Sequence, residues 1–398
     1  MPRLARPAAL AALVLALSPA FAPAAPVPGD KAKTIDLVLC LDVSGSMDGL
    51  IESAKIRMWD VVNELAKAKP TPNLRVSLYS YGTDTYDPKT GWVRKEIDLS
   101  TDLDEVYAKL NKLRTGGGTE LVARVTQTAI KEQKWSDTAD ALKVIFVCGN
   151  EPANQDKDVS LSDVADLAKK SGIVINTIYC NRGQASTEAA GWSDFAALCG
   201  GKYASINQEA ARTDFAANIK APQDEKLLEL SGKLNKTYIA YGGKGQEAAE
   251  KQRAQDAAAA AAPGAGGAPQ AAVVKAAYWL SWQLMTKANA LYRNAAWDLV
   301  DRKKEDKEFD VRKLKEDELC DEMKKMTPDE RVEFVKKKAE ERAAIQKEIN
   351  DLSAARAKYI AEEVKKAPKN PGEQALDAAL KGIIREQATG KGFEFEKK

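Results

Sequence analysis

Asp36-Leu37-Val38-Leu39-Cys40-Leu41-Asp42-Val43-Ser44-Gly45-Ser46-Met47 decides the fold. Leu37, Val38, Leu39 and Leu41 form an unbroken apolar run, the pattern of a strand buried on both faces of a parallel sheet. The run stops at Asp42, and a helical spacing follows almost at once through Ile51, Ile56, Val61, Val62 and Leu65. Strand, short loop and helix together put Asp42, Ser44 and Ser46 at the carboxyl end of a strand, where open α/β sheets bind their ligands. One carboxylate and two hydroxyls are hard oxygen donors that suit Mg²⁺ or Ca²⁺ rather than zinc or copper.

The same alternation continues outward. Leu74–Tyr81 and Trp92–Leu99 read as neighbouring strands, Leu103–Leu113 and Leu121–Lys131 as amphipathic helices, and Lys143–Cys148 as another buried strand. Leu161–Lys170 is a helix closed by Gly172, Ile173–Tyr179 a fifth strand, Phe195–Leu198 part of a helix and Tyr203–Ile206 a last short strand. Alternating strands and helices predict an α/β domain over residues 33–222, a doubly wound and mostly parallel sheet with helices on both faces.

D-x-S-x-S at the end of the first strand resembles the metal-ion-dependent adhesion site of von Willebrand factor type A domains, which are Rossmann-like. Gly116-Gly117-Gly118-Thr119-Glu120, ahead of another helix, falls where that family places its metal-binding Thr. The resemblance implies a divalent cation, Mg²⁺ or else Ca²⁺ or Mn²⁺, held by Asp42, Ser44, Ser46 and Thr119. It also implies recognition of a protein partner through an acidic side chain that completes the metal's coordination. One position departs from the family. The final metal-site Asp usually follows the fourth buried strand, and here that place is Gly149, in Val147-Cys148-Gly149-Asn150-Glu151. Glu151 or Glu120 could substitute for it, but neither has the family spacing.

Composition narrows the function classes. The first 24 residues carry Arg3 and Arg6, an apolar stretch from Ala8 to Leu17, and Ala22-Pro23-Ala24, which together read as a cleavable export signal. Export would place the mature chain in a periplasm or outside the cell, and no other apolar run is long enough to span a bilayer. Without those residues, basic and acidic side chains balance at 58 each, which gives no electrostatic case for nucleic acid. The chain has no His, so His triads, His bases and His metal sites are excluded. No Ser or Cys has an evident base beside it, and the expectation is a binding protein rather than an enzyme. Of the five Cys, Cys180 and Cys199 flank a predicted loop and helix and are the expected disulfide pair; Cys40 and Cys148 are expected to be buried apolar residues.

Beyond Pro222 the character changes. Residues 223–262 read as a short helix, an isolated strand at Tyr238–Tyr241 and an Ala-rich helix; 263–272 is a Gly/Ala/Pro linker. Residues 273–366 are expected to be helical, with an aromatic stripe (Tyr278, Trp279, Trp282, Trp297) that is most simply packing surface. Thr327-Pro328-Asp329-Glu330 has the form of a capping box opening a charged helix over 328–366, with a coiled-coil-like seam at Val335, Ala339, Ile345, Ile349 and Leu352. The tail, 367–398, is expected to fray at Phe393–Lys398. FVCGNEP, TYIAYG, AAWDLVD and MTPDER together are similar to a group of bacterial exported von Willebrand A proteins with a charged helical C-terminal region. That architecture leaves a second expectation beside adhesion: an envelope scaffold working through its helices, with a degenerate metal site.

Overall fold

The computed structural model describes residues 32–48, 50–181, 188–207, 219–243, 245–260, 294–366 and 371–395. The expected export signal at 1–24, the linker at 263–272 and the aromatic run up to residue 293 lie outside the described residues. The described residues belong to one compact unit.

β1 (Thr34–Asp42) is buried along almost its whole length, and its alternating side chains divide the molecule. Leu37, Leu39 and Leu41 pack on one face with α1 (Ile51–Leu65) and α2 (Leu103–Lys112). Val38 and Cys40 pack on the other with α3 (Val122–Glu132), α4 (Leu161–Ser171) and α5 (Glu188–Leu198). Fully burying each such side chain is worth ~1.5–3 kcal/mol, which is why an unbroken apolar run settles at the centre of a sheet covered on both sides. The six strands run in the order β3-β2-β1-β4-β5-β6. β2 (Asn73–Tyr81), β4 (Leu142–Gly149), β5 (Val174–Asn181) and β6 (Tyr203–Asn207) continue the parallel array, and β3 (Val93–Ser100) lies antiparallel on the edge. The order reverses between β1 and β4, so the crevice above their carboxyl ends is the sheet's switch point.

The helical region has its own small cores. α6 (Asp224–Asn235) packs Leu227, Leu230 and Leu234 against Ile345 and Ile349 of the long α10 (Pro328–Lys366). Farther toward the start of α10, Val335 meets Ile239, Val311, Leu319 and Met323, together with Leu299 and Val300 of α8 (Leu299–Glu305). Thr327 and Glu330 form the reciprocal cap that opens α10, with Thr327 N–H donating to Glu330 at 2.7 Å. The seam of α10 is therefore covered by short elements of the same chain rather than by a second long helix. α7 (Gly245–Ala260) and the four-residue α9 (Asp321–Lys324) complete the region. Arg342 ties it together from inside: its guanidinium donates to Asp298 at 2.7 Å, to Asp301 at 3.0 Å and to the Thr237 carbonyl at 2.8 Å. Trp297 sits in a turn, not in a helix continuing from the aromatic run, because the Asp298 carboxylate caps α8 by accepting from Asp301 N–H.

Two expectations are corrected. Residues 393–395 do not fray, and 396–398 lie outside the described residues: α11 (Pro371–Thr389) lays Leu380, Ile383, Ile384 and Ala388 onto the α1 face of the sheet, and Phe393 is fully buried there. Gln387 and Asn176 of β5 exchange side-chain amide bonds at 2.8 and 3.0 Å, and Glu394 pairs backbone to backbone with Lys69, 2.7 Å each way. The pairing of Cys180 with Cys199 is also overturned. Cys180 points into the α1 face and Cys199 packs in the opposite cluster, with the sheet between them. The neighbour of Cys180 is instead Cys148, with 3.3 Å between sulfurs, and all five Cys are free thiols.

Candidate metal centre

Four segments meet above the carboxyl ends of β1, β2 and β4: the loops after these strands and the loop before α3. Val43 N–H donates to Tyr81 O and Gly116 N–H to Val43 O, both at 2.9 Å, and Ser44 pairs with Gly116 as an isolated parallel bridge. The glycines of the Gly116–Gly118 run let backbones touch: a Cβ on Gly118 would stand 2.6 Å from Gly82 O.

Asp42 is the buried centre of this junction. Its Oδ1 accepts from Ser44 N–H at 2.8 Å, Ser44 Oγ lies 2.8 Å from Ser46 Oγ, and Ser46 Oγ donates to Asn150 Oδ1 at 2.9 Å. The chain of oxygens thus crosses the switch point from the loop after β1 to the loop after β4. The structure brings Asp42, Ser44 and Ser46 together. Thr119 is half-buried in the Gly116–Glu120 loop that pairs with Ser44, and the next residue, Glu120, acts electrostatically on Asp42. Burial pushes the Asp42 carboxyl up from 3.8 to about 7; N–H groups of Ser44 and Asn150 oppose this, and the charge of Glu120 adds to it.

Two glycines shape the walls. Gly82 turns at φ +89, open to glycine and strained for other residues, and its bare Cα leaves a cradle. A Cβ there would stand 2.8 Å from Asp42 Oδ1, 3.1 Å from Glu120 Cγ and 3.5 Å from Ser44 Cβ. On the far side of Asp42, a Cβ on Gly149 would meet Tyr81 Oη at 2.6 Å, Trp192 Cη2 at 3.0 Å and Asp42 Oδ2 at 3.1 Å. The space a family Asp would use is filled by an aromatic wall. Tyr81 donates to the Cys148 carbonyl at 3.1 Å, and Trp192 Nε1 donates to the Glu151 carbonyl at 2.8 Å, which fixes the loop after β4. Arg124 braces the same loop from α3 with paired 2.9 Å bonds to Asp156.

The donor set fits a hard divalent cation: oxygens only, gathered round a buried carboxylate whose charge a cation would offset, with a cradle beside it that a single Cβ would fill. Among the described residues no group of three or more His, Cys, Asp and Glu side chains could hold a metal, so the hydroxyls belong to any such site. Tyr81, Gly82 and Asn150 lie in the loops 81–86 and 150–156 that the sequence offers for partner specificity, but neither they nor Trp192 belong to the expected metal-ligand set. Asn150, one residue past the missing acid, was the one within reach of a motif reading.

Residues 36–194 match the model of the von Willebrand factor type A domain. Solved structures with similar stretches include proximal thread matrix protein 1 of the mussel byssus, with a zinc-occupied MIDAS motif. It is 14% identical, with 45% of this chain and 43% of that one covered and a TM-score of 0.33. The SpRpn10 VWA domain is 18% identical over 48% of this chain and 96% of that one, with a TM-score of 0.36. A von Willebrand factor type A protein of Catenulispora acidiphila is 17% identical over 46% and 41%, with a TM-score of 0.33. The chain spans less than half the length of the mussel protein. No curated protein matches it. With the six-stranded, mostly parallel sheet and the D-x-S-x-S loop at its switch point, residues 36–194 have the von Willebrand factor type A fold whose model they match.

Proposed function

We propose that this domain is a non-enzymatic protein-interaction module. It takes a divalent cation, Mg²⁺ ahead of Ca²⁺ or Mn²⁺, between Asp42, Ser44, Ser46 and Thr119, and binds a partner through an acidic side chain. The observation that carries the reading is the hydrogen-bonded run of Asp42, Ser44, Ser46 and Asn150 across the switch point. A bound cation supplies a Lewis-acidic centre with positions left for a carboxylate oxygen. The chain's own residues do the rest. Ser44 N–H orients Asp42, Tyr81 and Trp192 close its inner side, and the Arg124–Asp156 brace holds the loop after β4 rigid for partner contacts. The setting we propose is a periplasm or the cell exterior, reached through the segment at 1–24.

The test is thermal unfolding in EDTA, then in Mg²⁺, Ca²⁺ or Mn²⁺, beside Asp42→Ala. A cation at 100 times its dissociation constant raises stability by ~2.7 kcal/mol, a shift of several degrees. A rise lost in Asp42→Ala supports the reading; no rise with any ion sinks it.

A second reading, a scaffold working through the helices, is favoured by a separate feature. A cavity of 960 Å³ lies between α8, the loop after it and α10, with Phe309, Val311 and Val335 inside and Lys304, Lys307 and Lys336 at its rim. Partner capture that survives Asp42→Ala but not charge reversal of these lysines would favour it.

A further inference from the structure

We propose that Glu120 is the second carboxylate of the metal centre and takes the part that Gly149 leaves open. This rests on the metal-binding reading above and goes beyond it by naming a ligand outside the expected set.

The argument is geometric. Position 149 has no room for an acid, because Tyr81 Oη and Trp192 Cη2 already stand 2.6 and 3.0 Å from where its Cβ would be. On the opposite side of Asp42, at Gly82, the side chain of Glu120 comes up beside it. Asp42 Oδ1 and Glu120 Cγ both come within about 3 Å of one point, where a Gly82 Cβ would stand, at 2.8 and 3.1 Å. Ser44 Cβ faces the same point at 3.5 Å. Glu120 is only 9% exposed, so it is no solvated surface acid. Two buried carboxylates beside each other repel unless a cation lies between them, and two negative charges match one divalent ion. Glu151, the other acid with a comparable sequence position, is half-exposed, and its described contact is through its backbone carbonyl to Trp192.

The chain arrives at this arrangement by a simple route. Gly118 lies against Gly82 O and Thr83 Cα, both 2.6 Å from its would-be Cβ, so the loop before α3 passes the turn after β2 at backbone distance. Two residues later Glu120 comes level with Gly82. The acid has moved from the loop after β4 to the loop before α3, and the aromatic wall of Tyr81 and Trp192 occupies the vacated side. A cation held by Asp42 and Glu120 is neutralised within the site. The partner's acid then adds to a neutral centre, and the surrounding loops must supply most of the selectivity.

The experiment is Mn²⁺ titration of the full chain by calorimetry and by electron paramagnetic resonance, with wild type, Glu120→Gln, Glu120→Asp and Ser46→Ala. One ion per chain is expected for wild type, with at least a tenfold weaker affinity in Glu120→Gln, since even outer partners of metal ligands cost 10–100-fold. Glu120→Asp should fall between the two. Metal-free Glu120→Gln should melt no lower than wild type, because a charge beside Asp42 has gone. Binding by wild type, weakened by Ser46→Ala but within twofold of wild type in Glu120→Gln, overturns the Glu120 assignment and leaves the metal centre standing. A metal-free Glu120→Gln that melts lower than wild type and has lost binding marks Glu120 as a structural residue and also overturns it. No binding by wild type overturns the metal centre and this assignment together.

Discussion

Consider Asp42→Asn in protein stripped of metal. The side chain keeps its shape and one oxygen to accept from Ser44 N–H, but it can no longer be charged. In the wild type the Asp42 carboxyl rises from 3.8 to about 7 on folding, chiefly because burial disfavours its charge. A carboxyl held that high binds its proton more tightly folded than unfolded. Its contribution is fully present below about pH 4 and is lost as the pH climbs through 7. The interval from 3.8 to about 7 corresponds to ~4 kcal/mol as an upper bound. Urea unfolding in EDTA at half-unit steps from pH 4 to 8 should therefore show wild-type stability falling relative to Asp42→Asn by up to ~4 kcal/mol. Other groups with raised values, Asp301 among them, are common to both proteins and cancel in the difference. Metal binding at pH 6 should release close to one proton from the wild type and none from the variant. Parallel stability profiles would refute the reasoning, since the buried carboxylate would then not be under electrostatic stress.

Other consequences can be measured directly. Gly149→Asp, which restores the family acid, should lower metal-free stability by ~1–3 kcal/mol through overpacking against Tyr81 and Trp192 and should not improve Mn²⁺ affinity in calorimetry. Arg342→Met leaves Asp298 and Asp301 buried without their cation and should cost ~3–5 kcal/mol in urea unfolding at pH 8. The cost should shrink toward pH 5, because Asp301, raised to about 6 mainly by burial, then carries a proton. Ending the chain after Pro222 removes Leu380, Ile384 and Phe393 from the sheet's α1 face, at ~1.5–3 kcal/mol each, a large part of a domain's whole stability. That fragment should show no cooperative melt by circular dichroism, whereas replacing 223–366 with a flexible linker and keeping α11 should preserve one.

Local patterns carried much of this structure. The apolar run from Leu37 to Leu41 could only be a central strand, and the Thr327–Glu330 spacing marked the start of α10, because each depends on residues adjacent in sequence. The D-x-S-x-S loop likewise placed Asp42, Ser44 and Ser46 together. What stayed hidden depends on contacts between distant segments. That Glu120 stands beside Asp42 follows from two backbones passing at Gly82 and Gly118, and no spacing within either loop encodes it. That position 149 is walled in follows from Tyr81 and Trp192, on a strand and a helix far apart in the chain. The cysteine pairing failed for a related reason. Strand parity sends Cys180 to one face of the sheet, but the face that carries Cys199 is set by how α5 packs. Leu380, Ile383, Ile384 and Ala388 have helical spacing on the page, yet the surface they cover, α1, lies more than 300 residues earlier.

The docking of α11 also bears on the order in which this protein can be completed. Synthesis delivers the sheet strands first, and α1 and α2 cover most of one face, yet the surface beside α1 and β6 that α11 covers stays open to water until Phe393 has been made. A vectorial chain therefore cannot finish its earliest domain early: the sheet can form under α1 and α2, but the surface beside α1 and β6 that α11 covers must wait while the helical region is still being made. The closing contact spans most of the polypeptide, and its loop entropy comes due only at the end. In a chain of this design the first domain is completed by its last helix.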